Sequence, residues 1–175
     1  MTLYKKVMSK NRQTLYPTEL TADTFGDYGD VIELDGHDPI TINSGNCQRY
    51  SDLARLDISA SGRPGISLFD AKPYDSPLLL TYVERHPLGS QAFLPTSSEP
   101  YLVVVAQDSD EGPQRPDVFV TRGYQGVNYY RNIWHGVLTP IKSRSLFVVV
   151  DYIGGGENLQ EYVFDTPYSI DFSGC

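Results

Sequence analysis

At 175 residues the chain has the size of a single domain able to bury most of its apolar surface. Its net charge of −8 disfavours nucleic acid as a partner, because phosphate backbones need clustered Lys and Arg. No apolar run approaches the ~18 residues of a membrane span, and the opening MTLYKKVMSKNRQ lacks the apolar core of a secretory signal.

Cys47 and Cys175 sit in no CxxC or Cys/His spacing, so zinc-finger and redox motifs are set aside and a cytoplasmic setting is expected. Glycine, proline and tyrosine are plentiful, and short apolar runs alternate with turn residues. That pattern predicts an all-β sandwich or barrel, in one domain spanning 1–175.

Residues 1–18 read as an N-terminal arm, with a short basic strand at 3–7 and a polar loop up to Pro17. Thr21 as N-cap and Gly26 as stop predict one helical turn over 21–25. A strand follows at 29–33, then turn chemistry at 35–39 that leaves His37 in an exposed loop. The polar segment 41–50 ends near Arg49, which could clamp a carboxylate bidentately or pair with Asp52 at the surface. Strands are predicted at 54–59 and 66–71, joined by a turn over 61–65.

The stretch 79–95, LLTYVERHPLGSQAFLP, carries the first chemistry. Alternate strand residues point to opposite faces, so Tyr82, Glu84 and His86 share one face. Pro87 and Gly89 break the strand, and Gln91 and Phe93 open the next. A carboxylate and an imidazole thus aim the same way with an amide returning close by, and burying them needs partners or a task. The plain alternative is a hydrogen-bonded pair at a barrel mouth.

YLVVVA at 101–106 suits a strand buried on both faces, 107–116 reads as a solvated acidic loop, and 118–121 as a short strand. The second informative stretch is GYQGVNYYRNIWHGVLTP, 123–140. Asn128 and Tyr130 share one face there, and are taken as substrate contacts; Ile133, His135 and Val137 alternate further along. In an apolar strand His135 would be desolvated and neutral, fit to act as base or ligand, or else be a core histidine bonded to a backbone carbonyl. A buried strand at 146–153, a hairpin turn at Gly154-Gly-Gly156, a strand pairing back at 161–164 and an irregular tail after Pro167 complete the chain.

Two glycine-bounded stretches with inward polar groups resemble the facing motifs of a cupin, a double-stranded β-helix barrel. Glu84 stands where a metal-binding cupin has its first histidine, His86 matches the second, Gln91 replaces the glutamate and His135 matches the last. Glutamine is a poorer ligand than carboxylate, which implies weaker metal binding. ERHPLGSQAFLP (84–95) and QGVNYYRNIWHGVL (125–138) resemble the signature of the ureidoglycolate lyase family, supported by FGDYGDVIE, INSGNCQRYSDLA and FVVVDYIGGGENLQEY. The family often has a histidine where this chain has Tyr130 and a second one where it has Gly136, so no role of those histidines transfers.

The resemblance implies a homodimeric, cupin-like enzyme that splits (S)-ureidoglycolate into glyoxylate and urea, assisted by a divalent metal such as nickel. On that reading Glu84 and His135 share the proton transfers, while His86 and Gln91 hold substrate or metal. Arg49 docks the substrate carboxylate, and Glu84, His86 and His135 are the metal-ligand candidates. Two other classes stay open: a metal-dependent cupin oxygenase or isomerase, and a non-catalytic cupin module that binds a small acid.

Overall fold

The computed structural model describes residues 12–175. It opens with β1 (Thr14–Leu15), β2 (Thr18–Glu19), the helical turn α1 (Ala22–Phe25) and β3 (Gly29–Ile32). A small hairpin, β4 (Ile40–Ile42) and β5 (Cys47–Arg49), is followed by β6 (Gly62–Ala71), β7 (Leu78–Arg85) and β8 (Gln91–Pro95). Then come β9 (Tyr101–Ala106), β10 (Asp117–Val120), β11 (Gly126–Tyr129), β12 (Trp134–His135) and β13 (Thr139–Pro140). The chain closes with the long strands β14 (Ser145–Gly154) and β15 (Gln160–Ile170).

Apart from the β4–β5 hairpin, the strands described form two facing sheets. One runs β1-β15-β7-β12-β9-β10-β2, with β13 also on β9; the other runs β3-β11-β8-β14-β6. Between them lies a core of Phe25, Phe93, Val103, Val105, Val127, Tyr129, Phe147 and Val149. The opposite face of the first sheet buries a second cluster around Leu80, Val83, Leu102, Val104, Trp134 and Ile170. Strand β9 feeds both, with Val103 and Val105 in one cluster and Leu102 and Val104 in the other, which is why its run is apolar throughout. The result is the expected all-β, cupin-like barrel, and its helical turn is capped as expected by the Thr21 side chain, which accepts from the Thr24 N–H.

Several local expectations change. The predicted strand at 3–7 lies outside the described residues. The end of the expected arm belongs to the barrel, since β1 pairs with β15 and β2 with β10. Residues 54–59 make one isolated bridge, Ile58 to Gly89. Two of their backbone donors go to side chains instead, Arg55 N–H to Asp30 and Asp57 N–H to Ser90 Oγ, while Ser59 N–H donates to the Leu88 carbonyl.

The predicted turn at 61–65 is the start of β6, whose ladder with β14 runs unbroken from Gly62↔Gly154 to Ala71↔Ser145. Glycine suits position 62 because a Cβ there would collide with the Tyr152 ring. The triple glycine is no hairpin. Both edges of β14 are taken by β6 and β8, so the chain crosses to the other sheet and β15 pairs with β7. That strand passes Pro167 and reaches Ile170, with a register shift between Val163 and Tyr168 that accommodates the proline.

Candidate active site

Antiparallel pairing sets Glu84 of β7 directly opposite His135 of β12. Val105, the other partner of His135, faces the core between the sheets, so both polar side chains face the barrel interior. His86 follows one residue past the end of β7, and its ring centroid lies 5.2 Å from that of His135. One ligand atom from each of Glu84, His86 and His135 lies within 4.8 Å of the others.

Both imidazoles have their tautomer fixed. A carbonyl only accepts, so His86 Nδ1 donates to the Asn158 carbonyl at 2.6 Å and His135 Nδ1 donates to the Gly136 carbonyl at 3.1 Å. In the neutral ring that leaves each Nε2 a bare lone pair, buried and, among the described residues, without a hydrogen-bond partner. Two orphaned nitrogens beside a carboxylate form a donor set that fits a divalent ion with a taste for nitrogen and oxygen, and the carbonyl partners behind them supply the orienting shell such ligands need.

Burial pushes the Glu84 carboxyl above its ordinary range; the neighbouring His86 opposes this, while Glu161, paired opposite Glu84 on β15, adds to it. Burial, with the neighbouring His86 acting in the same direction, pushes His135 down to about 3, so it stands neutral. Its ring stacks on Tyr129 with centroids 4.5 Å apart and planes 2° from parallel. The Tyr129 hydroxyl is pushed up by burial and then by Glu84.

The reverse face of the same ladder is clamped. Arg85 lies over the Trp134 ring at 4.2 Å, and Asp108 accepts from both Arg85 (2.6 Å) and Trp134 Nε1 (2.8 Å). The acidic loop thus ties down the immediate neighbours of Glu84 and His135. Asp108 is half exposed, so solvent screening keeps the energy modest. Replacing Asp108 by Asn should lower stability by about 1 kcal/mol in urea unfolding.

Glu84, Gln91 and His135 line a cavity of about 360 Å³ together with Phe69, Phe93 and Leu138. A larger groove of about 510 Å³ opens elsewhere, between Leu34, Leu53 and Tyr124. It lacks the imidazoles, whereas the smaller cavity is lined by Glu84 and His135.

The remaining sequence-predicted residues part company. Gln91 stands in the cavity wall. Asn128 and Tyr130 do not: the core face of β11 is Val127 and Tyr129. Asn128 Nδ2 donates to Asp30 and to the Arg55 carbonyl on the outer side, and the Tyr130 hydroxyl donates to Asp30. Arg49 is exposed on the β4–β5 hairpin, a ladder separate from both barrel sheets, and it does not line the cavity. The cation tied to the cavity wall is instead Arg144, which forks onto Asp70. Sequence reading also passed over Tyr129 and Asp151, whose Oδ2 accepts from Gln91 Nε2 at 3.5 Å.

The family model for ureidoglycolate lyase matches residues 12–171. The chain belongs to the ureidoglycolate lyase family. It is 53% identical over 152 residues to the ureidoglycolate lyase of Rhodobacter capsulatus, covering 87% of this chain and 94% of that one. Identity is 49% over 155 residues to ureidoglycolate lyase 2 of Rhizobium meliloti, covering 88% and 95%. The Brucella melitensis ureidoglycolate lyase is 45% identical over 161 residues, covering 91% and 95%. In this member of the ureidoglycolate lyase family, Gly136 lines the cavity, and a Cβ there would meet Val104 at 3.0 Å.

Proposed function

We propose that this chain is a carbon–nitrogen lyase that splits (S)-ureidoglycolate into glyoxylate and urea, a step of allantoin degradation. Family membership carries the substrate. The observation that carries the chemistry is the meeting of a buried carboxylate with two unpartnered imidazole nitrogens.

Ureidoglycolate holds a hydroxyl and a ureido nitrogen on one carbon, beside a carboxylate. Elimination removes the hydroxyl proton and forms the carbonyl of glyoxylate. The carbon–nitrogen bond breaks, its electron pair stays on nitrogen, and that nitrogen takes a proton to leave as urea. No water is consumed. Glu84, whose affinity for a proton is raised by burial, takes the hydroxyl proton. Neutral His135 offers its Nε2 lone pair as the second acceptor in reach, and the proton departs with the nitrogen. His86 and Gln91 hold the substrate in place.

Glu84, His86 and His135 would hold a divalent ion such as nickel. When bound, the ion supplies positive charge beside the hydroxyl and eases its deprotonation. A carboxylate has two oxygens, so ligation through one leaves the other for the proton. With His135 Nε2 taken up as a ligand, Glu84 alone would carry that proton to the leaving nitrogen, and the His135 relay belongs to the metal-free form. The reading is tested by glyoxylate release from ureidoglycolate, with and without chelator. Release that falls on chelation and returns with nickel supports the metal-assisted form, undiminished release supports the protein groups alone, and no release by fresh enzyme refutes the lyase.

A homodimer is part of the proposal. Ile66 and Leu68 on edge strand β6 are 79% and 66% exposed, and they sit opposite Val150 and Val148 on the outer face of their sheet. A monomer rarely leaves such a stripe open to water. Light scattering at micromolar concentration should report a dimer, and replacing Ile66 and Leu68 by Lys should convert it to monomer. The two unpaired cysteines fit a cytoplasmic setting. Among the described residues no helix is long and apolar enough to cross a membrane.

A further inference from the structure

Beyond the proton-transferring groups, Gln91 in the cavity wall and Asp151 beside it carry a second set of unmet hydrogen-bonding needs. Gln91 on β8 and Asp151 on β14 follow the paired residues Ala92 and Val150 on adjacent strands. Phe93 and Val149, one step further along, both face the core, so Gln91 and Asp151 share that inward side. Gln91 Nε2 donates to Asp151 Oδ2 at 3.5 Å. This bond decides which way the amide faces, because a carboxylate can only accept and therefore attracts the nitrogen end. Among the described residues Gln91 Oε1 is left without a donor, and Asp151 Oδ1 is left without one as well; both atoms are buried. Two orphaned acceptors side by side ask for a ligand that brings hydrogen-bond donors.

We propose that Gln91 Oε1 and Asp151 Oδ1 receive the N–H groups of the substrate's ureido end, with Asp151 also acting as the positioning residue that orients the Gln91 amide. The ureido group offers the donors that this pair lacks, an N–H and an NH₂ in one plane. Glyoxylate and simple 2-hydroxy acids offer none at that end. A site built to bond a donor rejects analogues without it, because its own polar atoms are then left unpaired. Gln91 and Asp151 therefore set specificity, while the cluster of Glu84, His86 and His135, two of which line the cavity with Gln91, meets the hydroxyl end. This rests on the ureidoglycolate reading above.

The test uses two unreactive probes, ureidoacetate, which has the ureido group without the hydroxyl, and glycolate, which has the hydroxyl without the ureido group. Their dissociation constants are measured by calorimetry on the full chain, after circular dichroism has shown each variant to be folded. Gln91→Met should weaken ureidoacetate by ~10–100-fold and leave glycolate within about twofold. Asp151→Asn keeps the shape but frees the amide to turn. It should weaken ureidoacetate in the same selective way, by about fivefold or more, and raise KM more than it lowers kcat. If Gln91→Met does not fold, the Asp151→Asn comparison decides alone. Equal loss of both probes, loss of neither, or failure of the parent protein to bind ureidoacetate overturns the proposal. Turnover of ureidoglycolate by the parent protein is read separately. A parent that releases no glyoxylate refutes the lyase reading, and selective loss of ureidoacetate in the variants still upholds ureido docking.

Discussion

Glu84→Gln should lower kcat on ureidoglycolate by about a hundredfold or more and leave KM within a few-fold of the parent. Glutamine keeps the shape and one hydrogen-bond acceptor but does not exchange a proton near neutral pH. The loss corresponds to roughly 3 kcal/mol of transition-state stabilisation. Glu84 sits between His135 and Glu161 on neighbouring strands, so its amide replacement stays within the same ladder. The variant should fold, and circular dichroism with light scattering checks that before the kinetics are read. A variant with near-normal kcat would reduce Glu84 to an interior hydrogen-bonding group.

The second large effect concerns acid lability. His135 is held neutral in the folded chain, with its pKa pushed down to about 3 by burial, while an unfolded histidine titrates near 6.5. Below pH ~6.5 the unfolded chain therefore binds a proton that the folded chain refuses. The stability His135 confers is complete above that value and drains away as the pH falls toward the folded pKa. For metal-free protein this costs about 2 kcal/mol between pH 7 and pH 5, at ~1.4 kcal/mol per pH unit. Glu84 works in the opposite sense, since its carboxyl is raised and its contribution fades as the pH rises. Urea unfolding at the two pH values should show the loss, and His135→Asn should flatten the slope. An unchanged slope in that variant would assign the acid lability elsewhere.

What the sequence made legible follows from how its faces are covered. Strand β9 is apolar at six successive positions because a core lies on each side of it, and such a run reads plainly. Glu84 and His86 stood out because charged and polar side chains in an apolar strand demand a reason. Strand β11 was opaque for a related cause. All four of its residues are buried, Asn128 by hydrogen bonds to Asp30 and Arg55 on the outer side and Tyr129 by the core. Alternation of polarity then says nothing about which face is inside, and side-chain chemistry alone points to Asn128 with Tyr130 where the structure turns Tyr129 inward.

Arg49 looked like a carboxylate clamp because bidentate geometry is a property of the residue, whereas its reach depends on a hairpin that stands off both sheets. Asp108 and Asp151 were missed from opposite directions. One sits in an acidic loop that reads as solvated, yet it bonds Trp134 and Arg85; the other hides in a strand that reads as core, yet it bonds Gln91. Strand order was the least legible feature, since the assignment of β15 to the far sheet depends on which edges of β14 were already occupied.

The crossing from β14 to β15 has a consequence for how the protein comes to be active during folding. Asn158 lies in that crossing, and it accepts from His86 Nδ1 through its carbonyl and from the Leu88 N–H through its side chain at 2.7 Å. Those partners are 72 and 70 positions apart in the chain. Closing so long a loop is slow and pays back only once the surrounding sheets have met. A chain that has formed its first thirteen strands still lacks the group that fixes the His86 tautomer. Competence should therefore arrive at the end of refolding, with the recovery of turnover trailing the recovery of strand signal.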